Sequence, residues 1–357
     1  MQPPEPGRPA ILFINVQNPV HRLTNFSDHS PAATAAIARM NEFGKIKTPF
    51  VVVADYALQC PLVLTPDEAA NQGIFYHIGP YTNTINVDSQ VVIRQNPFRF
   101  TRFPMSFSAY EPRFRRVQEH LRRGNSFLVN LTQPTPIETN LPLSDIFSRS
   151  QARYKLLVRD EFVVFSPETF VRIEHDTIRS HPMKGTIAAS EPDARHRILT
   201  DPKEAAEHAT IVDLIRNDIS QVAGRVWVER YRYVETVPTH AGDLLQVSSE
   251  IRGTLPPNWA DTIGTLLFQL LPAGSITGAP KPQTLAIISE VEGYQRGYYT
   301  GVAGFFDGTN FNCGVLIRFI EQTANGLIFK SGGGITVYAD AESEYRELID
   351  KVYLPFA

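Results

Sequence analysis

The stretch YYTGVAGFFDGTNFNCGVLIRFI, residues 298–320, decides the fold of this chain. It holds two strongly apolar segments, YYTGVAGFFD (298–307) and NCGVLIRFI (312–320), on either side of the turn sequence FDGTN (306–310). A short Asp-Gly break between two runs of β-branched and aromatic residues is typical of a β-hairpin. The stretch therefore predicts two antiparallel strands, and the segment GLIFKSGGG (326–334) adds a third.

Strand-like segments of the same kind recur upstream, and helical patterns lie between them. A second hairpin signal, RDEF (159–162), joins two of these strands. The upstream strand-like segments are SFLVNLT (126–132), YKLLVRD (154–160), FVVFS (162–166), FVRIEH (170–175), RVWVERYRYVETV (225–237) and LLQVSSEIRG (244–253). Helical spacing of apolar residues covers 110–124, 202–222, 258–270, 280–290 and 341–353. We therefore expect an α+β fold with packed, largely antiparallel sheets and helices outside them.

The first 105 residues carry shorter patterns, with no phosphate loop or catalytic cluster. Their predicted elements are strands at ILFINV (11–16), PFVVVADY (49–56) and VVIRQ (91–95) and a helix over 31–43. From Ser106 onward the patterns strengthen. We expect a short N-terminal flank, residues 1–105, packed on one large catalytic region, residues 106–357.

The charge balance excludes one class of function. The 357 residues include 34 Lys and Arg against 37 Asp and Glu, a net charge of −3. Nonspecific nucleic-acid binding needs a basic excess to displace counterions, and the chain has none. The two cysteines, Cys60 and Cys313, are too few for a disulfide framework. Because no signal-peptide pattern opens the chain and no apolar run approaches the ~20 residues that span a bilayer, we expect a cytoplasmic protein.

Two acidic pairs are candidate metal ligands. Glu204 and Glu207 lie three residues apart in a helical pattern, so their carboxylates share a face. Glu344 and Glu347 repeat this arrangement in the C-terminal helix, and Lys351 lies one turn beyond on the same side. Carboxylate oxygens suit Mg²⁺, which typically keeps waters and an anionic substrate group in its shell. Such spacing is also common on solvated helix faces, and on spacing alone that alternative is favoured.

Two further residues are candidates for acid–base or nucleophilic chemistry. Lys184 lies in SHPMKGT with no acid next to it in sequence, and desolvation there would lower its pKa and free the amine as a nucleophile. The alternative for Lys184 is an exposed turn lysine. Glu168, in FSPETF, could be a general acid if a pocket raises its pKa.

Glycine-rich turns and one buried arginine complete the candidate site. GSITGAPK (274–281) could hold an anion at a helix start, although it lacks the spacing of a Walker loop. SGGGIT (331–336) permits a ligand to approach the backbone closely. Both could equally be ordinary turns. Arg318 interrupts the apolar run CGVLIRFI and requires an anionic partner, which is either a ligand carboxylate or a buried ion pair.

Taken in order, these segments closely resemble the chorismate-utilising enzymes, a family that includes anthranilate, aminodeoxychorismate, isochorismate and salicylate synthases. The resemblance runs from about Ser106 to the C-terminus and rests on eight segments in family order. These are SPE (166–168), PMKGT (182–186), KEAAEHATIVDLIRND (203–218), GSITGAPK (274–281), YYTGVAGFFD (298–307), Arg318, SGGGIT (331–336) and EYREL with Lys351 (344–351). It implies one large domain in which two antiparallel sheets pack together.

The resemblance also implies a ligand set. It implies Mg²⁺ held by Glu207 and Glu347, with Glu204 and Glu344 completing the acidic shell. One carboxylate of chorismate would bind the metal near Lys351, and the other would meet Arg318. The remaining substrate-binding positions that it implies are Asn130, Thr186, Thr277, Tyr299, Gly332, Gly333 and Gly334.

Lys184 indicates which branch of the family the chain resembles. Anthranilate synthases have a PIAGT-like sequence with alanine at this position, whereas aminodeoxychorismate synthase component I has PIKGT, similar to PMKGT here. In that branch the lysine amine attacks C2 of chorismate while Glu168 would protonate the departing 4-hydroxyl. Ammonia then attacks C4 and expels the lysine, which gives 4-amino-4-deoxychorismate for p-aminobenzoate and folate synthesis. Leu128 stands where the water-activating branches carry a lysine, so water is disfavoured as the nucleophile.

Two departures and one implied partner accompany the resemblance. Leu245, in LLQVS, replaces a histidine that the family usually brings to the substrate ring, and the region before Ser106 is short, with no tryptophan-binding signature. Neither Cys60 nor Cys313 lies in a glutaminase-like turn, so a separate glutamine amidotransferase subunit is expected to supply ammonia. The alternatives are anthranilate synthase component I and a noncatalytic chorismate-binding regulatory subunit.

Overall fold

Two antiparallel β-sheets form the centre of the molecule in a computed structural model, which describes residues 29–84, 98–237, 243–354 and 356. Within those ranges each sheet has nine strands, and every strand pairing is antiparallel. This confirms the α+β prediction and the antiparallel pairing. The predicted strands at 11–16 and 91–95 lie outside the described residues.

The first sheet collects strands from the whole length of the described chain. Numbered along the chain, its strands are β1 (Phe50–Ala54), β2 (Leu62–Leu64), β9 (Thr169–Glu174), β10 (Thr177–Ser180), β11 (Met183–Ala188), β12 (Arg225–Val237), β13 (Leu244–Thr254), β15 (Val302–Phe306) and β16 (Phe311–Val315). Their spatial order is β11-β13-β10-β9-β16-β15-β1-β2, with β12 paired to β13.

The second sheet interleaves with the first along the sequence. Its strands are β3 (Ile74–Ile78), β4 (Tyr81–Thr82), β5 (Phe100–Arg102), β6 (Leu128–Thr139), β7 (Tyr154–Val158), β8 (Phe162–Ser166), β14 (Gly278–Ala279), β17 (Phe319–Thr323) and β18 (Gly326–Ile335). Their order is β14-β6-β18-β17-β8-β7-β3-β4, with β5 paired to β6.

Nine α-helices are found within the described ranges. They are α1 (Pro31–Lys45), α2 (Pro66–Asn71), α3 (Phe107–Arg122), α4 (Leu143–Arg149), α5 (Ala194–Thr200), α6 (Pro202–Ser220), α7 (Ile263–Leu270), α8 (Lys281–Val291) and α9 (Ala341–Asp350). Among these residues no helix is both long and apolar enough to cross a membrane.

The continuous apolar run of β1 shows how the layers pack. Val51 and Val53 face the second sheet and pack with residues of β3 and β7, whereas Phe50 and Val52 join α1 and α7 on the other side. Successive side chains of a strand point to opposite faces, so a strand covered on both sides reads as an unbroken apolar segment. Strands of the N-terminal flank are therefore hydrogen-bonded members of both sheets rather than an outer attachment.

The decisive stretch forms one hairpin and then crosses between the sheets. Phe306 pairs with Phe311 across the predicted turn, as expected. The run NCGVLIRFI was expected to be a single strand with Arg318 inside it, and this was wrong. It divides into β16 in the first sheet and β17 in the second, and Arg318 lies in the connection with a φ of 55°. Apolar character continues through the break because residues on both sides of it are buried.

Candidate active site

The four candidate metal-binding carboxylates come from two helices whose starts are well defined. The side chain of Asp201 accepts a hydrogen bond from Glu204 N at 2.9 Å, which caps α6 next to the helix-compatible Pro202. Asp340 caps α9 in the same way, through Ser343 N. The acidic residues therefore lie in the first two turns of each helix, and Glu344 is buried.

A β-bulge aims Lys184 at the first acidic pair. Met183 pairs with Ser248 and Thr186 with Gln246, so three steps along β11 match two steps along β13. Gly185 lies at this irregularity with a φ of +86°, a value that glycine adopts at little cost. The glycine of PMKGT thus has a backbone role: it supports the extra residue that re-aims Lys184.

Lys184 is an ion-paired lysine rather than an exposed turn residue. Its Nζ lies 2.8 Å from Glu207 Oε2, and both side chains are largely buried. Burial acts to lower the pKa of Lys184, but the carboxylates of Glu207, Glu347 and Glu204 outweigh burial and hold the pKa above its usual value. The expectation of a pKa lowered by desolvation was therefore wrong, because an acid far away in sequence lies next to the amine in space.

A second lysine, at the C-terminal end of α9, pairs with the second acidic pair. Lys351 Nζ lies 2.6 Å from Glu347 Oε1 and donates to the Gly332 carbonyl oxygen at 2.8 Å. Burial lowers the pKa of Lys351, the Glu347 carboxylate opposes this, and the cationic groups of Arg318 and Lys184 add to the lowering. The positive charges of Lys184 and Arg318 are therefore near enough to Lys351 to influence its pKa.

The glycine-rich end of β18 lies between these groups. A Cβ atom at Gly333 would be 3.3 Å from Glu344 Oε2, 3.7 Å from Lys351 Nζ and 3.9 Å from Glu347 Oε1. At Gly332 it would be 2.7 Å from the Leu131 carbonyl oxygen, which no side chain tolerates. Glycine at Gly333 therefore keeps the space in front of the α9 carboxylates open.

The donor chemistry at this site fits Mg²⁺, because carboxylate oxygens are the ligands that this ion takes. In the described part of the chain, however, no three acidic, histidine or cysteine groups are close enough together to hold an ion as they stand. Glu207 and Glu347 each have a lysine ammonium at ion-pair distance instead. Each of the two acidic pairs thus has a lysine ammonium beside one of its carboxylates.

Glu168 has a hydroxyl partner that the sequence did not reveal. Ser275 Oγ donates to Glu168 Oε1 at 2.6 Å, from the turn GSITGAPK. Burial raises the pKa of Glu168, while the Ser275 hydrogen bond and the charges of Arg318 and Lys351 act in the opposite direction. A carboxyl with a raised pKa suits a general acid.

Thr277, a predicted substrate-binding residue, lies inside the turn GSITGAPK, and its binding role stays a prediction. Its hydroxyl donates to the Ala273 carbonyl oxygen at 2.9 Å and is fully buried, so it stabilises the turn from inside. The Thr277 carbonyl oxygen accepts from Asn130 N, and Asn130 pairs with Gly334 in the neighbouring strand. In the same turn Ser275 is the hydroxyl that reaches a candidate catalytic group.

A buried ion pair between Arg296 and Glu292 connects the turn at Ile276 with strand β6. The Arg296 and Glu292 side chains, 1% and 2% exposed, lie 2.6 Å apart. Arg296 also donates to the carbonyl oxygens of Ile276 and Asn130, and Glu292 accepts from the backbone and hydroxyl of Thr132. A charge pair this deeply buried is tolerable because its remaining donors and acceptors are satisfied.

Arg318 lies close to Glu168 but is not ion-paired to it. Within the described ranges no carboxylate lies within 4 Å of its guanidinium, and its Nε donates to the Tyr353 hydroxyl at 3.2 Å. The buried Tyr299 has a pKa raised by burial, and the charges of Arg318 and Glu168 also act on it. Of the two alternatives for Arg318, the buried ion pair finds no support within the described ranges, and an anionic ligand as its partner stays a prediction.

Thr186 and Leu245, the residue that replaces the family's usual histidine, lie on the paired strands β11 and β13. Thr186 is exposed and opposite Gln246, and Leu245 is opposite Ile187. Because neighbouring side chains of a strand point to opposite faces, Gln246 and not Leu245 shares a face with Thr186. Gln246 is therefore the polar neighbour available at this position, and the motif spacing alone did not identify it.

The comparisons with known proteins agree with this geometry. Residues 77–356 match the family model described as chorismate binding enzyme. An uncharacterized PabA-like protein of Pasteurella multocida is 50% identical over 90% of this chain and 98% of its own length. Aminodeoxychorismate synthase component 1 of Salmonella typhimurium is 32% identical over 74% of this chain and 61% of its own length.

Other relatives place the chain in the same family without separating its reactions. An anthranilate synthase component 1 of Haloarcula marismortui is also 32% identical, over 68% of this chain and 52% of its own length. The menaquinone-specific isochorismate synthase of Escherichia coli has the same fold, with a TM-score of 0.67 at 16% identity over 93% of this chain and 82% of that one. The chain therefore belongs to the chorismate-binding enzymes, a family that acts on chorismate.

Proposed function

We propose that this protein is an aminodeoxychorismate synthase component I, which converts chorismate and ammonia into 4-amino-4-deoxychorismate for p-aminobenzoate and folate synthesis. The observation that carries the proposal is the position of Lys184. The β11 bulge aims its amine at the carboxylates of α6, and no alanine stands there as in the anthranilate-forming branch. A lysine nucleophile distinguishes the proposed reaction from direct attack by ammonia.

In this proposal chorismate reacts in two displacement steps, first with Lys184 and then with ammonia, instead of in one direct attack by ammonia. The Lys184 amine attacks C2 of chorismate as the 4-hydroxyl leaves, and Glu168 gives that hydroxyl its proton. Ammonia then attacks C4, and the Lys184 amine departs from C2. The productive form needs a neutral amine opposite a protonated carboxyl, whereas the ion pair with Glu207 favours the ammonium. The reactive protonation state is therefore a minor one, and the rate is greatest at a pH between the two pKa values.

Charge complementarity supports chorismate as the ligand. Chorismate carries two carboxylates, and the positive charges of Arg318 and Lys351 both act on Glu168, so two cationic groups lie near the proposed acid. Glu207 and Glu347 would hold Mg²⁺, with Glu204 and Glu344 completing its shell. The ion would supply positive charge for one substrate carboxylate. Binding it requires Lys184 and Lys351 to give up part of their contact with the acidic residues.

The ammonia in this proposal comes from outside the chain. Cys313 is fully buried within β16, and burial raises the pKa of its thiol well above the usual value, so it is no glutaminase nucleophile. Cys60 lies at the surface. Its thiol also has a raised pKa, first because it is partly desolvated and second because the Asp55 carboxylate is near. A separate glutamine amidotransferase subunit is the proposed partner.

Product identification tests the proposal. The purified protein is supplied with chorismate, MgCl₂ and ammonium chloride, and the products are separated by mass spectrometry with and without an added aminodeoxychorismate lyase. We expect 4-amino-4-deoxychorismate, which the lyase converts to p-aminobenzoate. Anthranilate formed without the lyase would show the alternative synthase activity. Chorismate binding without turnover would show a noncatalytic binding subunit.

A further inference from the structure

Arg318 is held in an unusual backbone conformation where the chain passes from one sheet to the other. Its φ of 55° falls in the left-handed region, which non-glycine residues adopt rarely and often at functional sites. The Arg318 carbonyl oxygen accepts from Phe165 N at 3.1 Å, and Leu316 N donates to the Gly301 carbonyl oxygen at 2.8 Å. The backbone at Arg318 is thus fixed by both sheets, while its side chain depends on other contacts.

The contact that orients the guanidinium is Tyr353. Arg318 Nε donates to the Tyr353 hydroxyl at 3.2 Å, and the guanidinium carbon lies 5.3 Å from the centre of the tyrosine ring. One side chain therefore supplies both a hydrogen-bond acceptor and an aromatic surface for the cation. With Nε engaged, the two terminal nitrogens remain for a carboxylate, which they can bind in bidentate fashion.

Tyr353 is itself held in place by its neighbours. It follows α9 in a segment where Val352 and Leu354 are both buried in the core that includes Phe165 and Phe329. Val352 N also donates to the Ile349 carbonyl oxygen at 3.0 Å, which fixes the backbone after the helix. The alternation of buried, exposed and buried residues turns the Tyr353 ring outward, where it is 40% exposed.

We infer that Tyr353 is a positioning residue for chorismate binding: it holds the Arg318 guanidinium so that the terminal nitrogens meet the substrate carboxylate that does not face the acidic cluster. This inference rests on the proposed function and adds to it a residue that no motif of the sequence indicates. Tyr353 acts through Arg318 and does not contact the reacting atoms. Because it is partly exposed, replacing it leaves the core intact.

The test measures chorismate binding and turnover in four proteins: the parent, Tyr353→Ala, Arg318→Gln and the double variant. For Tyr353→Ala we expect the KM and the dissociation constant for chorismate to rise roughly tenfold, the size of one weakened contact to a charged group, with kcat changed less than about twofold. In the Arg318→Gln background, Tyr353→Ala is expected to add little, because its effect passes through the missing guanidinium.

Two further variants sharpen the test. Tyr353→Phe keeps the ring and loses the hydroxyl acceptor, so an intermediate increase in KM is expected. Tyr338→Ala removes a tyrosine that is 84% exposed and leaves chorismate binding unchanged. A Tyr353→Ala protein with the parent's KM, or an effect that is fully additive with Arg318→Gln, overturns the inference. A parent protein that binds no chorismate overturns the proposed function instead, so the two failures are distinguishable.

Discussion

The ammonium group of Lys184 and the carboxylate of Glu207 are 2.8 Å apart, so the candidate nucleophile and a candidate metal ligand are bound to each other. A second lysine–glutamate pair lies at the end of α9, where Lys351 and Glu347 are 2.6 Å apart. Each acidic pair therefore has a lysine ammonium at ion-pair distance from one of its carboxylates. A ligand or metal that enters this space therefore competes with ion pairs that already exist.

Replacing Lys184 with alanine removes the proposed nucleophile. We expect the rate of amination to fall by on the order of 10²-fold or more, which corresponds to about 2.7 kcal/mol in the activation barrier. Incubation of the parent with chorismate, followed by intact-mass spectrometry, should reveal a covalent adduct that the variant lacks. Lys45→Ala, at the exposed end of α1, is the matched control and should keep both activity and adduct. Equal steady-state kinetics in the Lys184→Ala protein would remove this residue from the mechanism.

The acidic residues on the two helices predict a specific dependence on Mg²⁺. Glu207→Gln or Glu347→Gln should raise the Mg²⁺ concentration needed for half-maximal activity by roughly tenfold or more, because each change removes a charged oxygen ligand. The control is Glu342→Gln, which lies on α9 beside Glu344 and pairs with Arg346 at the surface. A titration of activity against Mg²⁺ that is superimposable for parent and Glu207→Gln would refute the metal assignment.

The elements that carry the site could be predicted because their patterns are local. The helical spacing of α6 and α9 brought each acidic pair onto one face, and the hairpin signal at FDGTN set the pairing of β15 with β16. The sequence also placed Lys184 next to Gly185, and the structure shows why that glycine is needed. Local propensity and apolar periodicity were sufficient for these features.

The wrong predictions concern features that contacts between residues far apart in sequence determine. Lys184 and Glu207 are 23 positions apart, so nothing in SHPMKGT indicates that an acid raises the pKa of the lysine. The position of Arg318 was misjudged because a crossing between two buried sheets leaves no polar break in the sequence. The hydrogen bond from Ser275 to Glu168 was not predicted either, because these two residues are far apart in sequence and only the folded turn brings them together.

Glu168→Gln should separate activity from stability. Without a proton donor for the leaving hydroxyl, the rate should fall by about 10²- to 10⁴-fold. Because burial raises the pKa of Glu168, the folded state favours the protonated form, and ionisation lowers stability as the pH rises through and above the unfolded value of ~4.3. A neutral glutamine avoids this cost, so the melting temperature at pH 7 should be unchanged or higher than that of the parent.

The pH profile gives an independent check on Glu168. In the parent, activity should rise with pH and level off once Glu168 ionises, because further gain of neutral Lys184 amine is then cancelled by loss of the Glu168 proton, and this levelling-off should lie above the pH at which an ordinary glutamate ionises. Glu174→Gln, which gives up ion pairs with Arg172 and Arg179 on the first sheet, serves as the control for both readouts. A lowered melting temperature for Glu168→Gln at pH 7, with the same levelling-off retained in its residual activity, would contradict the assignment.

Gly333→Ala tests whether the open space in front of α9 is needed for binding. The added methyl group would lie 3.3 Å from Glu344 Oε2 and 3.7 Å from Lys351 Nζ, so it fills space without colliding with the backbone. We expect the protein to fold with nearly the parent's melting temperature, while chorismate affinity in the presence of Mg²⁺ falls roughly tenfold, as measured by calorimetry. Gly224→Ala is the control, because a Cβ there has no atom within 4 Å. If Gly333→Ala binds chorismate as tightly as Gly224→Ala does, the ligand does not occupy the space between β18 and α9.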